Sequence, residues 1–407
     1  MVANRIGSFS DTRIQDITRE VMRRSKARKD YVISRSGLDV RSDEDADDKG
    51  SALALGFTNG SEHVMPLKRG ALIQLATSLD VPSRFLDNLS ERGHTDMLAG
   101  LLSELLSREA GSKRHLVRTM DDTIDAFLSD RYKAIGNEEV MVTALGELKA
   151  LGAEVWDLRL SDNQFRLIAT APGLSGEVRH AHAGGGAHTW WERKGLADVH
   201  HAAVTIGNSE TGHGSFFGKI ATWRKVCSNL AVSEDGVARV HLGGKLKEGE
   251  QHADMIVSDA TRKLEDATLV SKLADVIKSA FDPIRFRKIL DALSATTARV
   301  VPEEVSASLM VDATIRLAGL PLERKEAILE EFLRSGDRTQ YGLAQSVTAQ
   351  ANPEHAGSLD DDTRSNIEEA GGTILKLSDK DWRAFLGGAL KPVAEVEAPL
   401  QTVRRTR

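Results

Sequence analysis

The sequence predicts an α+β fold: an antiparallel β-sheet core flanked by helices, with a helical C-terminal region after it. Three observations predict it. From Asn137 a helical repeat gives way to short runs in which apolar and polar residues alternate, the period of a half-buried strand. Beyond Gly249 nearly every segment has helical spacing instead. The 407 residues, 41% apolar and 28% charged, have the balance of a soluble globular chain long enough for two or three structural units.

Residues 1–50 read as a basic arm and an acidic linker. The first 36 residues hold nine Arg or Lys and four acids, and Asp43, Glu44, Asp45, Asp47 and Asp48 follow at once. Charge alone allows two readings of that acidic run, a solvated linker or a segment lying against the basic arm. Residues 51–111 read as an αβ segment: two short strands around the Thr58-Asn59-Gly60 turn, then helices over 69–107 with Leu72, Leu75, Ala76 and Leu79 at helical spacing. Leu72 to Leu89 has the outline of a helix-turn-helix, but its turn, Leu79-Asp80-Val81-Pro82, lacks the usual glycine. A plain helical hairpin is expected there.

Residues 112–250 read as the α+β core domain. Asn137 caps a helix with Glu138 and Glu139 in its first turn; Val140, Met141, Ala144, Leu145, Leu148 and Leu151 make its apolar face, and Gly152 ends it. Trp156, Leu158 and Leu160 then alternate with polar residues, Asp162-Asn163 turns the chain, and Phe165, Leu167 and Ala169 complete an antiparallel hairpin. Pro172 to Asp198 reads as a long exposed loop or extended hairpin. A strand begins near Val204 and Ile206. A helix is expected to carry Ile220, Trp223, Cys227 and Leu230 on one face, and a strand to run from Val237 to Leu242. Residues 251–390 read as helices at about 252–281, 283–297, 302–318, 321–335, 338–351, 360–374 and 379–389, and residues 391–407 as a flexible tail. There is no internal repeat.

Several function classes are disfavoured at this level. No apolar run reaches the roughly 18 residues that span a bilayer, and the first residues lack the apolar core of a secretory signal, so a cytoplasmic protein without a membrane partner is expected. With Cys227 as the only cysteine, an intrachain disulfide and a cysteine-rich zinc site are both impossible. No phosphate-binding loop motif is present, Gly184-Gly185-Gly186 lacks the strand and helix context of a dinucleotide site, and no cofactor is expected. Net charge is −6, so a polyanion partner requires a local basic surface.

Such local positive charge recurs beside aromatic or glycine residues. The expected DNA-binding set is Arg131, Tyr132, Lys133, Trp190, Trp191, Lys219, Arg224, Lys225, Arg239 and Lys245, in which the cations track a phosphate backbone and the rings stack on bases. For Trp190 and Trp191 a second reading stands beside stacking, that the pair anchors its own loop or plugs a neighbouring subunit. Six histidines (His180, His182, His188, His200, His201, His213) fall within 34 residues. Their spacing matches no established zinc pattern, but a metal-dependent enzyme acting on nucleic acid or nucleotides, with Glu192 or Glu210 as base, is the alternative. A helical interaction protein without DNA binding is the third reading.

From about Leu116 to Leu375 the chain resembles the phage/plasmid-like protein family known as domain of unknown function 932. The resemblance rests on Phe127-Leu128-Ser129-Asp130-Arg131-Tyr132 with Asn137 after it, on Gly207-Asn208-Ser209-Glu210-Thr211-Gly212, and on Val226-Cys227-Ser228-Asn229 with His241. Weaker echoes are Tyr341-Gly342-Leu343 with Val347-Thr348, and Ile367 to Gly371. The family usually continues its Cys-Thr-Asn segment with glycine, where this chain has Ser228 and Leu230. The resemblance implies a phage, prophage or plasmid origin and brings no settled activity with it. By analogy of element order, the stretch from Asn137 to Leu230 looks like the core of single-strand-annealing recombination proteins. The expectation is therefore a protein that binds single-stranded DNA, with strand annealing, as a homo-oligomeric ring or filament.

Overall fold

Apolar residues fall into three large clusters, and each cluster gathers one set of elements. The computed structural model describes residues 11–43, 52–108, 113–130, 132, 135–181, 189–225, 229–239, 259–352, 359 and 361–389. The fold is α+β, with three antiparallel sheets and a helical C-terminal region.

The first cluster joins two small sheets to three helices. β1 (Lys29–Ser34) pairs with β5 (Arg114–Met120), which pairs with β6 (Thr123–Ser129). β2 (Leu38–Ser42), β3 (Leu53–Asn59) and β4 (Ser61–Pro66) form the second sheet in chain order. Leu55 and Phe57 of β3, Val117 of β5 and Ile124 of β6 pack with Leu72 and Leu75 of α2 (Arg69–Ser78), Leu86 of α3 (Ser83–Glu91) and Leu98, Leu102 and Leu106 of α4 (Thr95–Arg108). The expected hairpin around Gly60, and the helical hairpin at Leu79-Pro82, are both present.

The second cluster lies on one face of a five-stranded sheet of order β11-β10-β9-β8-β7. Its strands are β7 (Glu154–Leu160), β8 (Phe165–Glu177), β9 (Val199–Asn208), β10 (Phe216–Arg224) and β11 (Asn229–Arg239). Phe165, Leu167, Val204, Ile206 and Ile220 meet Val140, Met141, Ala144 and Leu148 of α5 (Asn137–Ala150) and Leu273 and Ile277 of α7 (Asp259–Ala280). The intervening residues Ile168, Ala203, Ala221 and Trp223 join Leu230 on the other side of the sheet.

The helical region comprises α8 (Pro283–Thr297), α9 (Ala307–Ala318), α10 (Lys325–Ser335), α11 (Gln340–Thr348), α12 (Asp361–Lys376) and α13 (Asp379–Ala389). Its core is built on Met310, Val311, Ile328, Phe332, Leu343, Val347, Ile367, Ile374 and Trp382 of α9 to α13. The expected boundaries of these helices hold to within a few residues, because caps and breakers mark them. Asp282 accepts the Arg285 N–H at the start of α8 with Pro283 at its first position, and Gly319 and Gly336 close α9 and α10 in the left-handed conformation.

Three expectations need correction. Of the segment expected as a helix around Ile220 to Leu230, Ile220 and Trp223 lie in β10 and Leu230 in β11, and Cys227 lies outside the described residues. Both faces of β10 are covered, so apolar residues occur on both parities and the spacing of Ile220 and Trp223 imitates a helical stripe. Asn137 is the first helical residue rather than the cap, which is Gly136, and its side chain is used elsewhere. The stretch read as a basic arm contains α1 (Asp11–Ala27) and β1. Ile14, Ile17 and Val21 pack α1 on the central core, and β1 completes the first sheet. Three of its charges pair with the rest of the fold: Arg23 with Asp121, Arg28 with Glu210, and Asp30 with Arg118.

Candidate nucleic-acid interface

At one end of the five-stranded sheet, β10 finishes at Arg224, opposite His200 of β9, and the Lys225 N–H donates to the Val199 carbonyl. The Val178 N–H donates to the Asp198 carbonyl beside it. A one-turn helix, α6 (Trp190–Arg193), starts in a capping box between Thr189 and Glu192 and lays Trp191 against Arg224 at this end. Four segments distant in sequence thus converge, with Tyr341 from α11 below them.

Their meeting point is a buried polar network centred on Asp198, which is 3% exposed. Arg224, 2% exposed, donates from Nε to Asp198 Oδ1 at 2.5 Å and from Nη2 to Oδ2 at 2.8 Å. The Tyr341 hydroxyl donates to Asp198 Oδ2 at 2.8 Å, and His180 Nε2 lies 2.8 Å from the same oxygen. His200 Nε2 is 2.7 Å from the Tyr341 hydroxyl, whose proton is already given to Asp198, so this network assigns the His200 proton to Nε2. His200 Nδ1 then accepts from Thr222 Oγ1 at 3.2 Å. Burial holds the His200 ring down to about 3, so it stays neutral near pH 7. Burial alone would raise Asp198, but the charge of Arg224 and the hydrogen bonds from His180 and Arg224 outweigh it and hold the carboxyl well below the usual carboxylate range. The Arg224 guanidinium also lies 4.3 Å from the Trp191 ring centroid, a buried cation–π contact.

This geometry revises the expected DNA-binding set. Arg224 is saturated and enclosed, and Trp191, at 2% exposed, is the roof over Arg224 rather than a free stacking platform; of its two readings, the anchoring one describes its place. Tyr132 is 7% exposed and donates its hydroxyl to the Ser209 carbonyl, again an interior ring. Lys219 is half-buried and paired with Glu369 of α12. Lys225 stands exposed as expected. Arg131, Lys133 and Lys245 lie outside the described residues, as do the side chains of Trp190 and Arg239. The sequence reading missed three cations at this same end. Arg179 just beyond β8, Arg193 ending α6 and Lys194 after it are all exposed, as Lys225 is. Glu192 is engaged in its capping box, and Asp198 is covered by Arg224.

The Gly207–Gly212 segment is a second convergence, and it is a joint rather than an opening. Glu210 accepts from the Asn137 N–H at 2.9 Å, from Asn137 Nδ2 at 3.1 Å and from Arg28. Asn208 Nδ2 donates to Asn137 Oδ1 and to the Ile135 carbonyl, both at 2.8 Å. Gln74 of α2 donates to the Thr211 carbonyl at 2.6 Å, while its own oxygen accepts the Phe127 N–H. Arg118 reaches the Glu210 carbonyl from β5. The segment therefore bolts the central sheet to the first unit, and the cavity left between them, about 20 Å3, has room for about one water.

Searches against protein-family models, curated proteins and solved structures return no match. Among the described residues, no three His, Cys, Asp or Glu side chains converge in a way that could hold a metal ion; His180 and His200 are tied into the Asp198 network, and His182 and His188 lie outside the described residues. None of the described helices is long and apolar enough to cross a membrane.

Proposed function

We propose that this protein binds single-stranded DNA across the β8–β9–β10 end of its central sheet and anneals strands, in an oligomer, in the cytoplasm during phage or plasmid recombination. One observation carries the reading. Arg179, Arg193, Lys194 and Lys225 come from three separate segments, are all exposed, and stand over a buried network that fixes the backbone beneath them. Exposed cations on a hydrogen-bonded base suit a phosphate backbone, whose affinity derives from counterion release rather than from base identity. The resemblance to phage/plasmid-like proteins supports the biological setting.

The test is a titration of a labelled oligonucleotide at several salt concentrations. Affinity should fall with salt on a log–log slope of roughly −0.7 per phosphate contacted, about −3 if all four cations engage. Replacing Arg179 and Lys225 with glutamine should weaken binding and flatten the slope by about 1.4, with no change in melting temperature. Binding that is absent at low salt, or whose slope is untouched by the replacements, defeats the reading.

A further inference from the structure

β8 loses its regular pairing near the end of the sheet. Ala171 lies opposite Ala202 of β9 and Ser175 opposite His201, so Pro172 to Leu174 are left out of the ladder as a bulge. Beside the bulge lies a pocket lined by Glu154 and Trp156 of β7, Thr170 and Pro172 of β8, His201 of β9 and Trp223 of β10. Three of its walls are rings. Trp223 is buried, and its ring centroid lies 5.6 Å from that of Trp156 and 5.6 Å from that of His201, with the planes tilted by 50° and 49°. Trp156 and His201 are half-buried, so part of each reaches solvent, whereas Tyr132 and Trp191 are interior. The enclosed volume is about 30 Å3, room for little more than a water, so a larger ligand lies across the mouth.

The polar atoms of the pocket select its ligand. The His201 ring bonds the Pro172 carbonyl, and because Nε2 is enclosed without a partner, the donor is Nδ1 and Nε2 is left as an acceptor. Burial and the nearby charge of Lys225 push this ring below its ordinary value, so it stays neutral near pH 7 and keeps that lone pair. Trp223 Nε1 is likewise enclosed without a partner, and Trp223 stands opposite His201 across the β9–β10 ladder. An unsatisfied donor and an unsatisfied acceptor are thus neighbours, and every nucleobase carries an acceptor beside a donor on its pairing edge. An aliphatic side chain in the same place would leave both unsatisfied. Glu154, exposed at the rim, repels phosphate, so a strand meets the pocket with a base and leaves its phosphates to Lys225. We propose that a base of the single strand stacks on Trp156 and turns its edge to Trp223 Nε1 and His201 Nε2, the Trp156 ring moving outward to uncover them. The proposal rests on the single-strand reading above and adds the place where a base is held.

Titration of the full chain with two oligonucleotides of equal length and charge, one ordinary and one wholly abasic, tests this. Trp156→Ala should bind the ordinary strand about 5- to 150-fold more weakly than the unaltered chain does, and the abasic strand equally well. The salt slope should not change, because a stacked base releases no counterions. Trp156→Phe keeps a ring and should retain most of the affinity. If the alanine variant fails to fold, irradiation of the unaltered chain with a strand carrying 5-iodouracil decides the matter, and the adduct should map to Trp156 or His201. A chain that binds with a cation-dependent slope but is indifferent to the bases or to Trp156→Ala, or an adduct that maps elsewhere, overturns the stacking site and leaves the phosphate contacts standing. Binding of neither strand at low salt removes both proposals together.

Discussion

A buried charge is worth what its surroundings give it, and Asp198 and Lys219 show the two extremes. Asp198 neutralises Arg224 where neither reaches water, so removing it leaves an enclosed guanidinium uncompensated. Asp198→Ala should lower stability by about 3–5 kcal/mol in chemical denaturation. Lys219 pairs with Glu369, whose side chain is 44% exposed, and Lys219→Ala should cost less than about 1 kcal/mol. The histidines give a pH dependence of definite sign. Burial holds His200 at about 3 and His115 at about 4, the latter with help from the nearby charges of Arg35 and Lys113, against 6.5 for the free ring. Both stay neutral in the folded chain while the unfolded chain takes up protons below pH 6.5. Stability should therefore fall as pH drops from 6.5 toward 4, by about 2 kcal/mol per histidine at pH 5. His115→Phe keeps the stack on Phe127, whose ring centroid is 4.5 Å away, and should remove one histidine's share from denaturation curves measured at pH 7 and pH 5.

At the scale of elements, the joints between units rest on a few enforced approaches. Gly212 has φ 78°, and a Cβ there would come 2.6 Å from Leu128 Cδ2; Gly60 has φ 75° with open space around it. Gly60→Ala should cost about 1 kcal/mol for its backbone alone, and Gly212→Ala clearly more, since Leu128 must also move. The calorimetric melting temperatures of the two variants give the comparison. Sheet and helical region meet at Arg166 of β8, which donates to Glu368 and, at 3.0 Å, to Ser365 on α12. Both members of that ion pair are enclosed, so Arg166→Met alone should be strongly destabilising, by about 3–5 kcal/mol, while Arg166→Met with Glu368→Leu should recover most of the loss. Helices were the most legible elements, since Pro283, Gly319 and Gly336 punctuate them. Strands covered on both faces were the least. β10 lacks the alternation that a one-sided strand shows, and its apolar residues satisfy a helical template equally well.

For the molecule as a whole, the sequence conveyed the α+β class and missed the way the chain closes on itself. Composition and periodicity report local surroundings, and the stretch rich in arginine near the start looks like a solvated arm until Asp121, Glu210 and the core under Val21 are seen beside it. The candidate site was legible only in part. Lys225 was found because it is a surface cation in a basic run. The burial of Arg224 was not, and that of Trp191 was legible only as one of two readings, because their partners Asp198 and Tyr341 carry no spacing signature: the Tyr341 to Asp198 hydrogen bond spans 143 residues.

That span has a consequence for synthesis. At roughly 5–20 residues per second, a ribosome needs roughly 7–30 s to travel from Asp198 to Tyr341. All five strands of the central sheet are translated within that interval or before it. The nascent sheet therefore waits with one wall of the Asp198 pocket missing, and His200 lacks its hydrogen bond to the Tyr341 hydroxyl until α11 arrives. A transcript cut short before Tyr341 would yield a chain in which Asp198 lacks the Tyr341 hydroxyl and Arg166 lacks Glu368, a species for proteases and chaperones to sort.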